Sequence, residues 1–64
     1  MNIVDRINKI SGVEETHWDS AQNRLVVYYS DSIPVDTMKI RIAGALHDAE
    51  LQDSIDTTTL ISVH

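Results

Sequence analysis

The side chains best suited to chemistry are three histidines and the carboxylates beside them. His17 and Asp19 stand in "THWD", His47 and Asp48 in "ALHDAE", and His64 in "ISVH". Imidazole and carboxylate together suit divalent transition-metal ions, Zn²⁺ first, and the same mix accepts nickel or copper. Residues at i and i+2 of a strand point the same way, so His17 and Asp19 can approach one ion. His47 and Asp48 fall near the end of a helix, with Glu50 three residues beyond the histidine. A histidine there also interacts favourably with the helix dipole, with no metal involved. His64 alternates onto the outer face of a last strand. Across a symmetric dimer, such half-sites would meet and complete a coordination shell that one chain lacks.

Other chemistries find little support. The chain has no cysteine, which removes disulfides, thiolate zinc sites, iron–sulfur clusters and cysteine nucleophiles. Its two glycines, Gly12 and Gly44, make no phosphate-cradling loop, and no serine sits in a Gly-x-Ser-x-Gly elbow. A chain of 64 residues is also too short to enclose the usual substrate pocket of about 300–1,000 Å³. The expectation is a protein that is not an enzyme. Ten acidic against five scattered basic residues give a formal charge of −5, which repels a phosphate backbone and is compatible with cations. No apolar run approaches the ~18 residues of a membrane span, and "MNIVDRINKI" is amphipathic rather than a signal peptide. A single cytoplasmic domain over 1–64, binding neither nucleic acid nor membrane, is expected. A domain this small buries only about 60% of its unfolded surface, so oligomerisation or a bound metal would help hold it.

The elements that must position these residues follow from spacing. Ile3, Val4, Ile7 and Ile10 recur at helical intervals behind Asn2 as a cap, and "SG" with Gly12 ends that helix. A strand from Val13 to Asp19 puts Thr16 and Trp18 on one face and Glu15, His17 and Asp19 on the other. Trp18 should lie towards the core, beneath the first helix. "SAQN" turns the chain into a strand from Arg24 to Ser30, with Leu25, Val27 and Tyr29 on one face and Val26 and Tyr28 on the other. Asp31 or Ser32 then caps a helix over 34–50, with Pro34 early in it. Its buried stripe is Val35, Met38, Ile42, Ala45, Leu46 and Ala49. Gly44 inside this helix suggests a close contact with the sheet. The β-branched stretch "SIDTTTLISVH" alternates as a final strand. Ile55, Thr57, Thr59, Ile61 and Val63 share one face; Asp56, Thr58, Leu60, Ser62 and His64 share the other.

The order is αββαβ. A right-handed crossover from the second strand to the third lays both helices on one face of a three-stranded sheet. The opposite face is then bare, and Val26, Tyr28 and Leu60 should lie exposed on it as a surface for self-association.

The stretch "IVDRINKISGV" followed by "HWDSAQNRLVVYYSDS" resembles the heavy-metal-associated domain of copper chaperones and metal-pumping ATPases. Gly12, Val13, Asp19, Arg24, Leu25, Val27 and Tyr29 fit that pattern without gaps. That family's first strand and its Cys-x-x-Cys copper loop have no counterpart here. In element order the chain is similar to the cytoplasmic C-terminal domain of cation diffusion facilitators, where a helix ending in Gly-Val is followed closely by a histidine. "SGVEETH" places His17 in that position. The hairpin here is shorter, and no acidic-Pro segment follows the last strand. The resemblance implies a ferredoxin-like fold, a homodimer, and divalent cations bound through histidine and carboxylate in the service of a parent transporter or partner protein. The resulting expectation is a metal-sensing or regulatory domain in metal homeostasis. The rival is a metal-free interaction or dimerisation module working through the exposed sheet face.

Overall fold

In the computed structural model, which describes residues 3–49 and 57–64, the chain runs helix, strand, strand, helix, strand. These are α1 (Ile3–Asn8), β1 (Val13–Asp19), β2 (Arg24–Ser30), α2 (Val35–Asp48) and β3 (Thr58–Val63). The result is an α+β fold with one mixed sheet in the order β1-β2-β3. The central strand β2 pairs antiparallel with β1 and parallel with β3. The cap expected at Asn2, and Glu50, Ile55 and Asp56, lie outside the described residues.

One apolar cluster joins the layers. Ile7 of α1 and Met38, Ile42 and Leu46 of α2 pack with Leu25, Val27 and Tyr29 of β2. Both helices therefore cover the same side of the sheet. Gly12 makes the turn from α1 into β1 at a φ of 97°, where a side chain is strained and a Cβ would collide with the Ile33 side chain. Its carbonyl accepts the Ser30 amide at 2.8 Å, and Arg41 Nη1 donates to the Ser11 carbonyl at 2.8 Å, fixing α2 against the same turn.

Strand β1 carries a bulge. Val13 pairs with Tyr29 and Glu15 with Tyr28, leaving Glu14 as the extra residue. A bulge breaks the two-residue alternation, so Val13 and Thr16, three apart, both reach the core side. Thr16 is buried there, and its Oγ1 has no hydrogen-bond partner.

Several expectations need correcting. Trp18 shares the helix-side face with its pairing partner Leu25, yet it is 45% exposed, standing near the end of an outer strand while Leu25 lies on the central one. Val35, expected in the buried stripe, is 41% exposed at the first turn of α2. Gly44 makes no close contact: a Cβ there would meet nothing within 4 Å. Neither Asp31 nor Ser32 caps α2. Pro34 occupies the cap position without a side-chain hydrogen bond, while the Ser30 and Ser32 hydroxyls bond each other at 2.8 Å.

The largest correction concerns β3. Leu60 pairs with Val27, and directly paired residues of a parallel ladder share a face. Leu60 therefore lies on the helix side, packed against the core cluster, and not on the open face. Thr59, Ile61 and Val63 take the open face instead, beside Val26, Tyr28 and Ser30. Alternation divides a strand into two sets of residues; the register with β2 decides which set turns inward.

Candidate functional site

His17 and Asp19 do share the open face of β1, as their spacing requires, but Asp19 already has a structural task. Asp19 Oδ1 accepts the Ala21 and Gln22 amides at 3.1 and 3.3 Å, and its Oδ2 lies 3.6 Å from Arg24 Nε. The carboxylate thus holds the hairpin turn, in which Asn23 takes a left-handed φ of 54°. His17 stands opposite Val26, and Thr59 flanks Val26 from the other strand. Between these two neighbours Val26 is only 6% exposed. Tyr28, between Glu15 and Ile61, is half-buried. The open face is therefore partly covered by its own residues rather than bare.

The other candidate ligands are dispersed. His47 and Asp48 are exposed at the last turn of α2, and adjacent helical residues diverge around the axis. His64 Nδ1 lies 3.4 Å from Asp31 Oδ2, where the Asp31 amide also donates to the Val63 carbonyl at 2.9 Å. That corner is remote from His17. β1 and β3 are separated by β2, and the partners of His17 and Val63 on β2 are four residues apart, at Val26 and Ser30. Strand spacings put His17 and His64 at least roughly 15 Å apart, whereas zinc–nitrogen bonds are about 2 Å long. Among the described residues no three His, Asp or Glu side chains converge as a metal site.

A different feature stands out on the β3 side. An apolar groove of about 580 Å³ runs between α2 and β3, lined by Val35, Lys39, Ile40, Ala43, Thr58 and Leu60 among others. Ile40 is 74% exposed beside it, and Ile61, on the other face of the same strand, is 38% exposed. Among the described residues β3 is also an outer strand of the sheet. Its pairing with β2 runs unbroken over six positions, and residues 57–63 include no charge, proline or glycine. The uncharged run "TTTLISV" signals this in the sequence; the groove depends on where α2 crosses the sheet and has no sequence signature.

Among the described residues no helix is long and apolar enough to cross a membrane. Comparisons with protein-family models, with curated proteins and with solved structures give no match for this chain.

Proposed function

We propose that this chain is a small interaction module that takes a further β-strand onto the β3 edge of its sheet. The groove between α2 and β3 receives that strand's side chains. The observation that supports this reading most is continuity: a regular, uncharged edge strand lies directly beside an apolar groove flanked by exposed Ile40 and Val35. An outer strand offers every second backbone N–H and C=O to an incoming chain, and neighbouring pockets select its side chains. The reading keeps the interaction module expected from sequence and moves its contact from the open face to the sheet edge. The element order is compatible with a ferredoxin-like fold of the cation diffusion facilitator type. It tests directly: an uncharged, extended heptapeptide titrated into ¹⁵N-labelled chain should shift residues 58–63 together with Val35, Ile40 and Ala43. Shifts confined to β1, or none, would refute it.

A second reading retains the metal. It is favoured by one observation, the approach of His64 Nδ1 to Asp31 Oδ2 at 3.4 Å. Two such half-sites, one from each of two chains, would give Zn²⁺ four ligands. Zinc should then raise the unfolding temperature of wild-type chain, and EDTA or His64→Ala should abolish the rise. Acid should also abolish it, because only unprotonated imidazole binds. No rise in Tm with soluble zinc would end this reading.

A further inference from the structure

We infer that the strand received at the β3 edge is the β3 of a second copy of this chain, paired antiparallel about a two-fold axis. The inference rests on the strand-addition reading and names its partner. Charge selects the occupant. The chain carries −5, so two copies repel overall, and the repulsion is least where they meet on a surface without carboxylates. The β1 edge, with Glu14, Glu15 and Asp19, fails that condition and would draw a basic partner instead. Residues 57–63 carry no charge, and among the described residues the charged side chain lining the adjoining groove is the cation Lys39.

Parity makes the contact self-complementary. A two-fold axis along the sheet normal carries the helix-side face of one copy onto the helix-side face of the other. Paired positions must therefore both be odd or both be even, which centres the pairing on Leu60 or on Ile61. Centred on Leu60, Thr59 meets Ile61; centred on Ile61, Thr59 meets Val63 and Leu60 meets Ser62. Either register sets β-branched side chains against each other on the open face, the pairing that sheets favour. Either also brings the two grooves side by side, with Ile40 and Val35 of each copy against its neighbour. The product is one continuous six-stranded sheet with an isologous interface.

The absence of cysteine allows a clean test on the whole chain. Sedimentation equilibrium should show twice the monomer mass at high micromolar concentration. Association should tighten with added salt, because salt screens the repulsion between acidic copies. Ile61→Lys, and independently Thr59→Lys, should weaken dimerisation at least tenfold while leaving the amide spectrum of a folded chain. Under oxidant, Ile61→Cys alone, or Ile61→Cys mixed with Thr59→Cys, should cross-link at least tenfold faster than His17→Cys on the β1 side. Dimers that survive both lysine variants, or that cross-link best through His17→Cys, would overturn the inference. A chain that stays monomeric yet binds the uncharged peptide at β3 would overturn the second copy and leave strand addition standing. A chain that does neither would overturn both.

Discussion

The two outer strands of this sheet share one partner, β2, and have nearly equal lengths, yet they present opposite surfaces. β1 is bulged at Glu14 and carries Glu14, Glu15 and Asp19. Bulges and charges are the usual means by which outer strands resist adding another strand. β3 has neither device. Its register is unbroken, its residues from 57 to 63 are uncharged, and an apolar groove lies beside it. Backbone hydrogen-bonding capacity at a sheet edge is general, so side chains and local register decide whether an edge is available. In this molecule the availability falls on one side.

Both edges stand on one core. Leu46 is fully buried in the cluster that seats α2 over β2. Leu46→Ala should cost about 2–5 kcal/mol in chemical denaturation and abolish ordered behaviour at both edges together. Loss at β3 alone would mean that the edges do not share one core. Ile61→Lys places a charge on β3, as β1 already carries charges at Glu14, Glu15 and Asp19. The expected tenfold or greater loss of self-association corresponds to about 1.4 kcal/mol or more, read by sedimentation. Asp19→Ala tests whether the conspicuous acid on β1 is structural. Losing its bonds to the Ala21 and Gln22 amides should cost about 1 kcal/mol of stability with no change in zinc response.

Two substitutions in the shared scaffold should stabilise it. Thr16→Val removes a buried hydroxyl that has no partner and should stabilise the chain by about 1 kcal/mol in urea unfolding. Gly44→Ala fills open space on an exposed helical position and should add about 0.5–1 kcal/mol. A loss at position 44 would restore the close helix–sheet contact that the sequence suggested.

The elements were legible because their signals are local. Gly12 ends the first helix, "SAQN" turns the hairpin, and the stripe through Met38, Ile42 and Leu46 marks one face of α2. Leu25, Val27 and Tyr29 were legible as core for the same reason. What escaped depends on relations between elements. Leu60 turns inward because β3 registers against β2 through the crossover, a distance over which alternation carries no information. Val26 is covered because His17 and Thr59 happen to flank it. The histidines drew attention by chemical type, but whether ligands converge is a matter of strand order, and β2 stands between His17 and His64. The groove arises from the line along which α2 crosses the sheet, and no motif encodes that line.

Amide hydrogen exchange as a function of chain concentration reads both edges in one experiment. The account predicts that alternate amides of Thr59–Val63 exchange freely in dilute solution and become protected as concentration rises through the dimerisation range. The outward amides of β1 should exchange at an unchanged rate throughout. Protection that appears on β1, or β3 amides indifferent to concentration, would contradict it.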